Sequence, residues 1–252
     1  MAAAAPRLRQ GERAGPAVSA ETGGPVSHGQ GVRAHFALPS IVVLAAVLRL
    51  LGLATNPGWD GDEGYNFNIA LNLAHGRHQM FALDFAFVQH PPLFFALTAV
   101  LFRLFGPGML AMRLLSIAFS LGTLALLPAL GRALVDGPKA ATTGARIGLL
   151  AALVYAVWPF AVLQNRFGYT YNGLAFWTVL TLLALLRYRR HPGRGALILC
   201  GLATTAALST DQEGIYLLPV LLLGLRGATF GRRLGSLALA LSGPALYIGV
   251  LA

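Results

Sequence analysis

The chain has 252 residues, of which 56% are hydrophobic and only 11% are charged, and its formal net charge is +10. A soluble domain carries about a quarter charged residues, so this composition excludes a water-soluble globular fold. The arginines lie mostly between apolar segments, where lipid headgroups and topology selection explain them better than nucleic acid does. With a single cysteine, Cys200, an intramolecular disulfide is also excluded.

The N-terminal residues 1–34 are rich in Ala, Gly, Pro and Arg and show no apolar periodicity, which predicts a disordered tail. Arginines precede the first apolar run, and no small-residue cleavage site follows it. We therefore expect the tail to be cytoplasmic and the first run to be a signal anchor. Residues 35–252 are predicted to form one transmembrane module.

Eight apolar runs follow the tail, and most have the length of about 16–25 residues that crosses a hydrocarbon core as a helix. Period-2 alternation is absent, and an open sheet could not satisfy its backbone in lipid. The predicted fold class is therefore an all-α, multi-pass transmembrane bundle. The runs are 36–54, 91–106, 109–134, 147–163, 172–187, 195–210, 214–230 and 234–252.

Charge decides which runs cross. If all eight crossed, the basic clusters 132–146 and 187–194 would lie outside the cytoplasm, against the positive-inside rule. The run 91–106 is short, begins with two prolines and contains Arg103, so we predict a juxtamembrane or re-entrant helix there. Seven crossings remain, and the N-terminus and the basic clusters become cytoplasmic. Three segments then lie on the external face: 55–90, 164–171 and 211–213.

A helical face is visible within the first external loop. Tyr65, Ile69, Ala70 and Leu73 follow the spacing of one face, and Gly76 is a plausible stop. This pattern predicts an amphipathic helix at the membrane interface.

Three carboxylates, Asp60, Asp62 and Glu63, precede or begin that helix. Acidic residues favour the first turn of any helix, because free N–H groups and the helix dipole stabilise negative charge there. A carboxylate at the membrane surface can equally serve as a general base or a metal ligand. Spacing alone leaves both interpretations open.

Other polar residues are predicted to lie on the same external face. Among the basic ones, Arg113 could simply extend to headgroups, and a lone interfacial histidine is often incidental. Together, however, carboxylates and cations beside lipid suit a lipid-phosphate substrate. The residues concerned are His90, Arg113, Arg166, Asn172, Asp211 and Glu213.

Four short motifs occur in a defined order. They are Asp62-Glu63-x-Tyr65, His90-Pro-Pro-Leu93, Ala111-Met-Arg113-Leu-Leu-Ser116, and Gln164-Asn-Arg166 followed by Tyr171-Asn172. Their order resembles the GT-C superfamily of membrane glycosyltransferases, above all the branch with protein O-mannosyltransferases and lipid A aminoarabinose transferase.

The resemblance implies an inverting transfer of sugar from a polyprenyl-phosphate carrier to an acceptor hydroxyl outside the cytoplasm. It implies Asp62 as general base with Glu63 beside it. Contacts to the donor phosphate are expected from His90, Arg113 and Arg166, and substrate contacts from Tyr65, Asn172, Asp211 and Glu213.

The family often has an acidic residue where this chain has Tyr171-Asn172, so no metal or other cofactor is predicted. Relatives usually continue beyond the equivalent of Ala252, which makes a chain incomplete at its C-terminus the expectation. The predicted partners are membrane lipid, a polyprenyl-phosphate-linked sugar, and an unidentified protein, glycan or lipid acceptor, with no nucleic acid.

Two alternatives belong to other functional classes. A secondary transporter would place ionisable groups near the bilayer midplane, usually within two repeated halves. A truncated, inactive relative acting as a scaffold would keep the motifs without the activity.

Overall fold

The computed structural model describes residues 29–77, 91–137, 140–225 and 228–251, and within these ranges every regular element is a helix. The all-α prediction is therefore confirmed. The α-helices are α1 (Gly29–Leu50), α2 (Gly61–Ala74), α3 (Leu93–Phe105), α4 (Met109–Leu134), α5 (Ala145–Val157), α6 (Pro159–Asn165), α7 (Thr170–Arg190), α8 (Arg194–Thr210), α9 (Leu217–Gly224) and α10 (Phe230–Leu251). A π-helical turn, Ala140–Gly144, precedes α5, and a 3-10 helix, Gln212–Tyr216, precedes α9.

The predicted disordered tail falls largely outside the described residues. Its boundary at residue 34 needs correction, because α1 already begins at Gly29. The helix therefore extends the first apolar run by several residues toward the N-terminus.

Among the described residues, length and hydropathy identify one unbroken span. α4, with 26 residues, is long and apolar enough to cross a membrane, and α5 with α6 forms a second span if this pair, bent by 68°, crosses as one unit. Both α3, with 13 residues, and α9, with 8 residues, are shorter than the roughly 20 residues of a full crossing. The count of seven crossings stays a prediction.

The bend between α5 and α6 interrupts the apolar run 147–163, which the sequence presents as continuous. Trp158 adopts an extended backbone with φ −62° and ψ 117°, and Pro159 begins the next helix. Proline disfavours helical geometry in the residue before it and lacks the N–H that would continue the helical hydrogen bonds. The break produces the 68° bend between the two helices.

α4 lies centrally and packs against α1, α3, α5 and α7, while α8 packs between α7 and α10. α4 and α5 approach closely at glycines. A Cβ on Gly148 would lie 2.5 Å from the carbonyl oxygen of Leu127, so a side chain there would force the two helices apart.

The predicted interfacial helix is α2, and it packs on α3. The rings of Phe67 and Phe102 have centroids 5.0 Å apart. Arg103 donates from Nε to the carbonyl of Ala74 at 2.9 Å, which satisfies a free carbonyl at the C-terminus of α2. Gly76 follows with a φ of 72°, the left-handed geometry that glycine adopts readily. The packing of α2 on α3 therefore fixes the position of the first turn of α2 relative to the rest of the bundle.

Candidate active site

Asp60 caps the N-terminus of α2. Its Oδ1 accepts hydrogen bonds from the backbone N–H groups of Asp62 (3.0 Å) and Glu63 (3.3 Å). The same oxygen accepts the hydroxyl of Tyr169 at 2.8 Å. The hydrogen bond from Tyr169 lowers the pKa of Asp60, whereas burial and this carboxylate raise the pKa of Tyr169. Asp60 is therefore a structural carboxylate that ties α2 to the segment before α7.

Glu63 is fully buried and pairs with Arg113 of α4. Nε of Arg113 donates to Oε1 at 2.8 Å, and Nη2 donates to Oε2 at 2.5 Å. Oε1 also accepts the backbone N–H of Gly168 at 2.9 Å. This two-pronged geometry is the strong form of an arginine–carboxylate pair, and it joins three parts of the chain.

The other N–H groups of Arg113 hold the segment between α1 and α2. They donate to the backbone carbonyls of Leu53 (3.1 Å), Pro57 (3.1 Å) and Gly58 (3.0 Å). An arginine side chain has five N–H donors, and all five of these are used. The phosphate contact expected of Arg113 would require it to release one of these acceptors.

Arg166 caps the C-terminal end of α1. It donates to the carbonyls of Leu48 (3.2 Å) and Leu51 (2.8 Å), and by a short hydrogen bond to that of Asn56. Its Nε is buried and has no hydrogen-bond partner among the described residues. Arg166 and Arg113 therefore both hold the segment between α1 and α2.

Asn172, expected to contact substrate, belongs instead to a buried polar network. Its Oδ1 accepts from Nδ2 of Asn165 at 2.6 Å, and Oδ1 of Asn165 accepts from Ser120 at 2.8 Å. Oδ1 of Asn165 also accepts hydrogen bonds from Nε and Nη2 of Arg49 at 3.0 and 2.9 Å. Arg49 is fully buried and also donates to the carbonyls of Ala45, Tyr155 and Ala156. The network joins α1, α4, α5, α6 and α7.

A polar cavity of about 190 Å³ opens where the first turn of α2 meets α7 and the 3-10 helix after α8. It is bounded by carboxylates, phenols and amides rather than by cations. Its lining residues are Asp62, Tyr65, Asn66, Tyr169, Thr170, Tyr171, Asp211, Gln212 and Glu213.

The three carboxylates of the cavity differ in how they are held. Asp211 is buried, accepting from Oγ1 of Thr170 at 2.6 Å and from the backbone N–H of Glu213 at 3.0 Å. The side chains of Asp62 and Glu213 are exposed and form no hydrogen bond or ion pair with the described residues. These two carboxylates remain available to a ligand.

The structure places Asp62, Tyr65, Asp211 and Glu213 at one cavity, and their roles there stay predictions. Glu63, Arg113, Arg166 and Asn172 lie nearby but are engaged within the protein. His90 lies outside the described residues. Sequence reasoning missed the roles of Tyr169, Thr170 and Arg49; a charged residue inside an apolar run was the available signal for Arg49. Within the described ranges, no group of three or more His, Cys, Asp or Glu residues could hold a metal ion.

The fold and the site define a helical membrane protein with a carboxylate-lined cavity at one end of its bundle. The structure of the S. cerevisiae protein O-mannosyltransferase Pmt1-Pmt2 complex bound to the sugar donor is similar to it, with a TM-score of 0.67 and 20% identity. The match covers 87% of this chain and 33% of the yeast chain, so this chain spans about a third of that protein's length.

The chain belongs to the dolichyl-phosphate-mannose-protein mannosyltransferase family, whose family model matches residues 89–250. The resemblance inferred from the motifs is therefore confirmed. The match begins after α2, so Asp62 and Glu63 lie outside it. No curated protein matches the sequence.

Proposed function

We propose that this protein is an inverting membrane glycosyltransferase that uses a dolichyl-phosphate or related polyprenyl-phosphate sugar, with Asp62 as its general base. One observation carries the proposal. Of the three carboxylates at the start of α2, Asp60 caps the helix and Glu63 pairs with Arg113, whereas Asp62 lines the cavity and has no partner among the described residues. A general base needs a carboxylate free to reach its proton.

The chemistry requires few groups. A sugar joined to a phosphate carries a good leaving group, so the two carboxylates of a glycoside hydrolase are not needed. Asp62 removes the proton of the acceptor hydroxyl as the new glycosidic bond forms and the bond to the carrier phosphate breaks. The phosphate leaves with the electron pair of that bond. Attack from the face opposite the phosphate inverts the anomeric carbon.

We assign Glu63 and Arg113 to positioning. Their pair and the hydrogen bonds of Arg113 to the 53–58 segment hold the first turn of α2 against α4. His90 remains our proposal for the donor phosphate. Arg166 also stays in the proposal, because its Nε has no hydrogen-bond partner among the described residues; this atom is buried, so contact with a phosphate requires the side chain to move.

For the sugar and acceptor we propose the exposed part of the cavity. Glu213 and Tyr65 present groups suited to bind hydroxyls, whereas Asp211 shapes the 3-10 helix that carries Glu213. Asn172 acts only indirectly, through the Arg49 network. The acceptor is left as a hydroxyl of a protein, glycan or lipid.

We place this cavity on the external face, which follows from the distribution of arginines. A reporter enzyme fused near residue 190 is expected to behave as cytoplasmic. An external signal there would overturn the orientation and the seven-crossing topology together.

The deciding experiment measures sugar transfer from a polyprenyl-phosphate mannose donor by the full-length protein in membranes. Asp62→Asn should lower kcat by about 10²–10⁴-fold, the range of a lost general base, without changing membrane insertion. Glu213→Gln is the matched control, since it removes an exposed carboxylate of the same cavity. It should change KM more than kcat.

Full activity of a correctly inserted Asp62→Asn protein would remove Asp62 from the mechanism. Absence of transfer by the wild-type protein with this and related donors would favour an inactive scaffold. Sugar uptake into proteoliposomes without transfer would favour the transporter alternative.

A further inference from the structure

A second cavity, of about 420 Å³, lies at the other end of α7 and α8. It is a groove between the C-terminus of α7 and the N-terminal turns of α8 and α10, and we call it the basic groove. α7 has 21 residues, so about 30 Å separates its ends, and the groove is remote from the carboxylate cavity. The residues that matter here are Arg194, Leu197, Arg232, Gly235, Ser236 and Leu239.

Two arginines border the groove and remain unpaired. Arg194 and Arg232 are exposed, and their side chains form no hydrogen bond or ion pair with any described residue. The neighbouring arginines behave differently, since Arg233 donates to the carbonyl of Leu225 at 3.1 Å and Arg190 pairs with Asp136 at 2.8 Å. The two groove arginines therefore offer free donors for an anion.

A buried hydroxyl lies in the wall of the same groove. Ser236 is only 2% exposed, and its Oγ has no hydrogen-bond partner among the described residues. A buried hydroxyl without a partner costs free energy, and Ser236 shares the groove lining with the two arginines, so an oxygen of a ligand in the groove is an acceptor that it could gain. This observation is independent of the charge of the arginines.

Apart from Tyr188, the rest of the lining is apolar, and it leaves space. Leu197 and Leu239 contribute aliphatic side chains, and a Cβ added at Gly231 or Gly235 would meet no heavy atom within 4 Å. The groove therefore combines a largely apolar wall with a cationic rim and two hydroxyl-bearing residues, Ser236 and Tyr188. This is the chemistry of a lipid with a charged headgroup rather than that of a purely polar or purely apolar ligand.

We propose that the basic groove binds one acidic phospholipid from the membrane leaflet at that end. Its phosphate is held between Arg194 and Arg232, Ser236 donates to a phosphate or ester oxygen, and an acyl chain lies along Leu197 and Leu239. By the predicted topology this is the cytoplasmic leaflet, where acidic lipids meet juxtamembrane arginines. The site does not depend on the proposed sugar transfer.

The test is native mass spectrometry of the full-length protein in uncharged detergent, titrated with phosphatidylglycerol or with phosphatidylcholine of the same acyl chains. The wild type should retain one phosphatidylglycerol in preference to phosphatidylcholine. Arg194→Ala and Arg232→Ala should each weaken that binding about fivefold, the effect of about 1 kcal/mol for one interfacial arginine.

Arg187→Ala is the matched control, because this exposed arginine is at the same end of α7 but does not border the groove. It should leave phosphatidylglycerol binding unchanged. Gly235→Leu keeps every charge but fills the groove, and it should weaken binding as well. This variant also serves where an arginine variant fails to fold.

Equal binding of the two lipids, or an equal loss in Arg187→Ala, would overturn the proposal in favour of diffuse surface attraction. Unchanged binding in Gly235→Leu would overturn the location. Displacement of the lipid by soluble glycerol phosphate would identify a site for free phosphate instead. A wild-type protein that retains no lipid would point to a protein segment in the groove.

Discussion

The two ends of α7 and α8 use charge in opposite ways. At the carboxylate cavity, the nearby arginines Arg113 and Arg166 are buried and held by the protein, while Asp62 and Glu213 have no partner among the described residues. At the basic groove, Arg194 pairs with no described residue, and the described lining contains no carboxylate. The number of charges near a site is thus a poor guide to its ligand. What matters is which charged groups keep unused hydrogen-bonding capacity.

The difference has a physical cause. A buried arginine must satisfy its donors within the protein, because an unpaired buried charge costs several kcal/mol. An exposed arginine without a protein partner costs little free energy, because water hydrates it. The same rule separates Glu63, which is buried and paired, from Asp62, which is exposed and unpartnered.

The largest effect is expected when the buried pair is broken. Glu63→Ala leaves the Arg113 charge buried without its partner and should reduce stability by roughly 3–5 kcal/mol. Thermal unfolding in detergent measures this change. Asp62→Asn, one residue away, should leave the unfolding temperature unchanged, and equal destabilisation by both variants would erase the distinction. The double variant Glu63→Ala/Arg113→Met should recover part of the loss.

The Arg49 network should give the next largest effect. Asn165→Leu removes the oxygen that accepts from Nε and Nη2 of Arg49, and the cost should be about 2–3 kcal/mol for hydrogen bonds to a buried charge. Unfolding in the same detergent gives the value. Gln164→Leu changes the adjacent residue, and a similar loss there would mean that the region is merely sensitive to substitution.

A smaller effect concerns the pKa of Asp60. Its hydrogen bond from Tyr169 favours the ionised carboxylate, so Tyr169→Phe should raise the pKa of Asp60. On acidification, Asp60 of the variant then becomes protonated at a higher pH than in the wild type. Carbon-detected NMR titration of the side-chain carboxyl reports it. Tyr171→Phe should leave the titration of Asp60 in place, and no shift in Tyr169→Phe would contradict the contact.

The smallest expected effect is on stability at the basic groove. Arg194→Ala removes an exposed, unpaired arginine and should change stability by less than about 0.5 kcal/mol in lipid-free detergent. Addition of phosphatidylglycerol should then stabilise the wild type more than the variant, because a ligand of the folded state raises its stability. A large loss without lipid would show that Arg194 supports the fold.

Much of the helical framework could be predicted from the sequence. The start of α2 followed from its acidic residues and its apolar face, and its end from Gly76, because capping and helical periodicity are local properties. The bend at Trp158-Pro159 could have been suspected from the proline. The extension of α1 back to Gly29 had no comparable signal, because the residues before the apolar run lack periodicity.

The sequence by itself determined that this is a helical membrane protein, that Asp60, Asp62 and Glu63 stand together at a helix start, and which family the chain belongs to. Hydrophobic run length, local capping and motif order carry that information. Only the tertiary structure decided which carboxylate is free, because Arg113 reaches Glu63 across 50 positions of the chain. The tertiary structure also engages Arg166 and Asn172 in hydrogen bonds within the protein, whereas Arg194 pairs with no described residue. Local sequence records which groups are charged, whereas packing decides which of them must be satisfied within the protein.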